Sequence, residues 1–193
     1  MDLILPLLLG FLCGSIPFGL LLTKAAGLGD IRDIGSGSIG ATNVLRTGNK
    51  KLAAATVLLD ALKGAVPVLV AAHFWPGTEG WVAVAAVAGH CFTPWLKFRG
   101  GKGFATAAGV LAALAWPAVL VCAAIWAATL AISRISSVSS LTTVLAAPAV
   151  AWLLGHPDVI VPLLAIAAIV VVQHRANIGR LMRGEEPKVG SRK

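Results

Sequence analysis

Charge is what this sequence has least of. Only 12% of its 193 residues are Asp, Glu, Lys or Arg, and just eight are acidic. Set against 58% hydrophobic residues and a mean hydropathy of +0.87, that scarcity excludes an ordinary soluble globular domain. Cysteine is sparse as well: Cys13, Cys91 and Cys122 form an odd set with no close pairing, so neither a disulfide framework nor a zinc signature follows. The four histidines are too scattered for a metal site, and no metal or cofactor is expected. The opening Met1-Asp2-Leu3 lacks the basic stretch of a secretory signal, so a retained first helix is expected. Strand-like alternation is weak too. The apolar blocks are continuous runs rich in Ala, Leu and Val, which points to an all-α integral membrane protein and away from a barrel.

The apolar blocks run over 3–22, 52–72, 81–96, 104–132, 138–153 and 159–173. The long block 104–132 is divided by counting cations, because Lys and Arg gather in cytoplasmic loops. With a hinge at Trp116-Pro117 it becomes two short helices, and fifteen of the sixteen Lys and Arg fall on one side; Lys63 lies within a span. The other side then carries Asp2, Glu79 and Asp158 and no cation. One undivided helix, with the rest unchanged, would send the six tail cations outside. The expectation is therefore seven transmembrane helices, N-terminus outside and C-terminus cytoplasmic, forming one domain over 1–193 with a basic tail at 184–193. A five-span version with one long helix in each of the last two regions also keeps the tail inside.

Three polar segments fall on the cytoplasmic side of this arrangement. The first, Gly35-Ser36-Gly37-Ser38-Ile39-Gly40-Ala41-Thr42-Asn43-Val44-Leu45-Arg46, formally matches a dinucleotide fingerprint. Its flanks are membrane spans and not a strand and helix, so the nucleotide-fold reading is rejected. The physical reason for such glycines survives: without Cβ atoms, backbone amides can approach an anion, while Ser36, Thr42, Asn43 and Arg46 add donors. The second, His90 to Gly103, holds Gly100-Gly101-Lys102-Gly103; Gly103 follows the lysine, so it is not a Walker A loop. It reads as a phosphate-sized positive pocket. In the third, 174–186, His174 and Asn177 stand three apart and share a face if the last helix continues, which suits proton handling and substrate orientation. Asp60 and Lys63, also three apart inside a span, are expected to pair as a structural clamp. Taken singly, the first two segments are better read as ordinary loops and the third reads as well as a capped basic helix end; their coincidence on one face carries the functional reading.

Together these segments resemble the bacterial membrane acyltransferase family PlsY. The matching residues are Gly14-Ser15-Ile16-Pro17-Phe18-Gly19, Gly35-Ser36-Gly37, Gly40-Ala41-Thr42-Asn43, Asp60 with Lys63-Gly64, Gly89-His90, Gly100-Gly101-Lys102-Gly103, and His174-Arg175 with Asn177-Ile178 and Arg180-Leu181. They recur in order along nearly the whole chain. Ser38, Thr93 and Arg99 depart from the family's usual Asn, Pro and Lys.

The resemblance implies a seven-helix enzyme at the inner leaflet of the bacterial cytoplasmic membrane. It would move an acyl chain from acyl-phosphate to the 1-hydroxyl of glycerol 3-phosphate, giving 1-acyl-glycerol 3-phosphate and phosphate, an early step of phospholipid synthesis. The His-x-x-x-x-Asp motif of other glycerolipid acyltransferases follows none of the histidines here, in keeping with an acyl-phosphate donor. On this reading His174, Asn177 and Ser36 are catalytic. Gly35, Gly37, Gly40, Thr42, Asn43, Arg46, His90, Gly100, Gly101, Lys102 and Gly103 bind phosphate, and either His174 or a substrate phosphate takes the proton. The expected partners are the two substrates and membrane lipid, with no nucleic acid. A transporter of a phosphorylated small molecule is the alternative, since it too would gather glycines and cations.

Overall fold

The computed structural model describes residues 3–190, so Asp2, Arg192 and Lys193, which entered the charge count above, lie outside the described residues. Ten α-helices and no strand make up the described chain. They are α1 (Ile4–Gly14), α2 (Phe18–Ala25), α3 (Ala41–Val44), α4 (Lys50–Phe74), α5 (Glu79–Cys91), α6 (Phe104–Leu114), α7 (Trp116–Ser133), α8 (Ser136–Leu153), α9 (Ile160–Gln173) and α10 (Arg175–Met182).

The first apolar block is one candidate span, Ile4–Ala25, as expected, but its helix is interrupted between Gly14 and Phe18. Pro17 has no N–H to continue the ladder and disfavours helix at the residue before it, so α1 stops at Gly14 and α2 restarts at Phe18. The carbonyls freed by the break are both used. Thr93 Oγ1 donates to the Ser15 carbonyl at 2.7 Å, and Lys63 Nζ donates to that of Ile16 at 2.6 Å. Trp95 Nε1 adds a bond of 2.9 Å to Ser15 Oγ. Lys63 itself pairs with Asp60 at 2.7 Å, both side chains 2% exposed, so the expected clamp forms and also ties α4 to the α1–α2 break.

The long block divides as expected, one residue before the hinge read from sequence. Ala115 (φ −152°, ψ 71°) separates α6 from α7, whose first turn contains Pro117, where a missing N–H costs nothing. The last block is continuous as α9, but the helix does not run straight on past it. It bends by 60° between α9 and α10, at His174.

Packing follows small residues. Buried side chains of α4, α5, α6, α8 and α9, among them Val68, Val87, Val110, Ala147 and Ile166, form the main core. α1 packs on α5 and α6 on α4. A Cβ at Gly109 would overlap the Ala61 carbonyl, and one at Gly10 would come within 2.6 Å of that of Val82. Such close backbone approach is how helices associate where the solvent is itself apolar. Gly109→Ala should therefore cost about 1–3 kcal/mol, as overpacking does, and lower the melting temperature in detergent; an unchanged melt would refute this contact.

By length and composition four helical stretches among the described residues can cross a membrane: Ile4–Ala25, Lys50–Phe74, Trp116–Ser133 and Ser136–Leu153. A fifth is added if the bent pair after Pro157 is taken as one. α6, with 11 residues, is only about 17 Å long at 1.5 Å per residue.

Candidate active site

The polar segments meet at one end of the bundle. The loop between α2 and α4 is shaped from inside by Asn43, 2% exposed. Its Nδ2 donates to the carbonyls of Ile31 (2.8 Å), Ser38 (2.8 Å) and Ile34 (3.1 Å), and its Oδ1 accepts from the Ser36 amide at 3.1 Å. The amide is thus occupied by its own loop, which corrects the expectation that Asn43 holds phosphate directly. Gly35 takes φ +58°, and its missing Cβ leaves the space that the Arg46 side chain fills. Ser36 and Thr42 are exposed on this loop, and the Gly37 amide donates to the Ile34 carbonyl at 3.1 Å. The Gly40 amide makes a longer bond, 3.4 Å, to Ser38 Oγ, so position 38 keeps a polar contact although it departs from the family's usual residue.

The second segment folds back onto the end of α5. Gly100 N–H donates to the Cys91 carbonyl at 3.1 Å and Gly101 N–H to that of His90 at 3.0 Å, satisfying carbonyls that the helix end leaves open. Those two amides are therefore not available to an anion, again a correction to the sequence reading. The Lys102 and Gly103 amides take no backbone partner among the described residues. Gly103, at φ +86°, is wedged so that a Cβ would lie 3.1 Å from Cys91 Sγ and 3.3 Å from Val170. The wedge brings Lys102 beside the end of α9. His90 sits behind this turn, 3% exposed, and not in the pocket as expected.

The third segment closes the pocket. His174 Nδ1 lies 2.7 Å from the Val170 carbonyl. A carbonyl only accepts, so this nitrogen carries the proton and Nε2 holds the lone pair of the neutral ring. Burial lowers the His174 pKa, partly offset by the bond to Val170. One turn on, Asn177 is 4% exposed and donates through Nδ2 to Glu186 Oε1. Its Oδ1 is buried and has no hydrogen-bond partner among the described residues.

Glu186 is the residue the sequence reading left without a role. Its Oε1 also accepts from Ser137 Oγ of α8 at 2.7 Å, and its Oε2 from Arg180 Nε at 2.6 Å. Burial pushes this carboxyl up, but the bonds from Asn177, Ser137 and Arg180 outweigh it and hold it below the usual range. A further tail contact, Val189 N–H to the Arg134 carbonyl at 2.7 Å, straps the segment to the α7–α8 turn. The available signal was an acidic pair, Glu185-Glu186, in an otherwise cationic tail.

Lys102 feels all of these groups. Burial pulls its ammonium down, Glu186 opposes, and Arg180 and Arg46 add repulsion, leaving it at about 8. Arg46, Lys102, Arg180 and His174 thus form a half-buried basic pocket with one carboxylate and one unused amide oxygen. It suits an anion bound together with a hydroxyl donor.

The chain matches the family described as Glycerol-3-phosphate acyltransferase over residues 4–184. It belongs to that family. Curated acyltransferases of the same name from Erythrobacter litoralis and Mesorhizobium japonicum are 57% and 55% identical to it, over 96% and 99% of this chain and 94% and 98% of theirs. The fold is similar to the crystal structure of PlsY, an integral membrane glycerol 3-phosphate acyltransferase, in its glycerol 3-phosphate form. The TM-score there is 0.92 with 34% identity, covering 97% of this chain and 96% of that one. The lysophosphatidic acid form of PlsY gives 0.91 at 33% identity. The basic pocket is thus found in a membrane-embedded glycerol-3-phosphate acyltransferase, and phospholipid biosynthesis follows from the family.

Proposed function

We propose that the chain acylates the 1-hydroxyl of glycerol 3-phosphate with acyl-phosphate as donor, at the cytoplasmic face of the bacterial inner membrane. The observation that carries this reading is the gathering of Arg46, Arg180, Glu186 and His174 about Lys102, with the Oδ1 of Asn177, one turn beyond His174, left without a partner among the described residues. Both substrates bring phosphate, which the cations receive, and the amide oxygen is an acceptor for the glycerol hydroxyl. The relatives' glycerol 3-phosphate and lysophosphatidic acid forms support the substrate and product.

An acyl-phosphate is already an activated mixed anhydride, so the protein's work is positioning and charge stabilisation. The hydroxyl oxygen bonds to the acyl carbon while the acyl–oxygen bond to phosphate breaks, and phosphate leaves with the electron pair. The hydroxyl proton passes to the lone pair of His174 Nε2 or to a substrate phosphate, whose second pKa is about 6 by analogy with phosphorylated side chains. Lys102 and the Lys102 and Gly103 amides neutralise the phosphate.

Seven crossings with the C-terminus cytoplasmic remain our reading of the topology. The meeting of the α2–α4 loop, the Lys102 turn, the α7–α8 turn and the tail supports it, because all four then lie at one membrane face. On this reading the short α6 and the longer α7 are the two arms of a there-and-back path through Ala115.

The test supplies purified protein in detergent with labelled glycerol 3-phosphate and, separately, acyl-phosphate, acyl-CoA or acyl carrier protein thioester. Lysophosphatidic acid should form with acyl-phosphate alone; formation from acyl-CoA would remove the donor assignment. In the same assay His174→Ala should lower kcat by about 100-fold or more if His174 is the base. A folded variant with near-normal turnover would give that role to the substrate phosphate.

A further inference from the structure

One buried cluster has no part in the chemistry above. It comprises Asp60 and Lys63 on α4 and His90 at the end of α5, with side chains 2–3% exposed. His90 Nδ1 is buried without a hydrogen-bond partner among the described residues, and the Asp60 carboxylate oxygen lies 3.8 Å away. That oxygen is itself held at 2.7 Å by Lys63, whose ammonium is anchored on the Ile16 carbonyl at 2.6 Å. The other edge of the ring meets the Lys102 turn. A Cβ on Gly101 would overlap His90 Nε2, and a Cβ on Gly100 would overlap the His90 carbonyl. The Gly101 amide is bonded to that same carbonyl at 3.0 Å.

We propose that His90 is a positioning residue: backed by the Asp60–Lys63 pair, it sets the Gly100-Gly101 turn and thereby where the Lys102 ammonium stands in the anion pocket. The ion pair is what makes this arrangement stiff. Charges this deep in the bundle are too costly to leave unpaired, so Asp60 stays with Lys63, and the carboxylate keeps the ring's Nδ1 edge towards α4. The Nε2 edge then becomes the floor on which Gly101 rests. Glycine is required at 101 because the floor leaves no room for a Cβ, and Lys102 is the next residue. His90 therefore serves the pocket without touching the substrate. This supports sites by the general rule that a functional group is only as well placed as the shell behind it.

The inference rests on Lys102 being the phosphate-binding group of the proposed reaction, but its test needs no turnover. Lys102 in the detergent-purified full chain is labelled by an amine-acylating reagent across a pH series, and the labelled peptide is quantified by mass spectrometry. In the parent protein labelling should rise through about 8, with Arg46, Arg180, His174 and Glu186 the charged or titratable groups around it. His90→Phe removes the Nδ1 edge and enlarges the floor. It should move the Lys102 profile up towards that of an exposed lysine, near 10.4, and raise the KM for glycerol 3-phosphate or acyl-phosphate at least tenfold, with a smaller change in kcat. Gly101→Ala lifts the turn from the other side, leaves the bundle core intact, and should do the same; it carries the test if His90→Phe does not fold. A folded variant of either kind with the parent Lys102 profile overturns the proposal, as does a lowered melting temperature with no change in that profile. A parent protein that forms no lysophosphatidic acid from acyl-phosphate, with the Lys102 profile still displaced in the variants, would refute the proposed function and leave the positioning role standing.

Discussion

Lys102→Ala is expected to lower kcat/KM on the order of 100-fold, mainly through KM for a phosphate-bearing substrate. Losing a hydrogen bond to a charged group costs about 1.5–3 kcal/mol of binding, on the order of 10- to 100-fold. The residue is suited to the role because half-burial, which weakens its hold on a proton, also strengthens its attraction for a phosphate. The two effects are linked through pH. A lysine at about 8 is charged below that value and neutral above it, so kcat/KM should fall as pH rises through about 8. Lys102→Arg separates charge from geometry: arginine stays protonated, so the alkaline limb should vanish even if the longer side chain costs activity. A Lys102→Ala enzyme with parental KM, or an alkaline limb that survives Lys102→Arg, would take Lys102 out of the pocket.

The sequence made the gross architecture legible because its strongest signals are physical ones that the membrane enforces. Apolar runs must be helices, and cations must be sorted to one side, which placed the break in 104–132 within one residue of Ala115. The α1–α2 break was written in Pro17 but overridden by the hydropathy of its block. Nothing in the linear sequence announces that Thr93, Trp95 and Lys63 will satisfy the carbonyls a break exposes. Lys102, His174, Asn177 and Arg46 were legible as polar or charged residues at the ends of apolar blocks, and they converge. Asn43 and His90 carried the same kind of signal yet turn inward. Whether an amide or imidazole meets a ligand or its own loop depends on which carbonyls lie within about 3 Å, and that is a property of the folded backbone. The amides of Gly100 and Gly101 escape a linear reading for the same reason, since their partners are the carbonyls of Cys91 and His90 at the end of α5.

Glu186→Ala should have the largest effect on stability. The carboxylate accepts from three groups on two elements, and two of the donors, Ser137 and Asn177, are only 6% and 4% exposed. Leaving each without a partner costs about 1–3 kcal/mol. Arg180, whose side chain is 32% exposed, can turn to water and adds little. A total of about 2–6 kcal/mol follows, read as a melting temperature lower by several degrees in detergent. Glu186→Gln separates packing from charge. Its amide oxygen can still accept from Ser137 and Asn177, but its NH2 then opposes the Arg180 donor, so the melt should fall by less. Charge acts at a distance on Lys102: Glu186 is the one neighbour that holds the ammonium up, so in the Gln variant Lys102 loses its proton more easily and the alkaline limb of kcat/KM should move below about 8. A Gln variant that melts lower but keeps the parental limb would make Glu186 a tether for the tail alone. A limb displaced in the acid direction makes it part of the pocket's electrostatics, where a single carboxylate among Arg46, Lys102 and Arg180 keeps the cation that receives the phosphate charged at neutral pH.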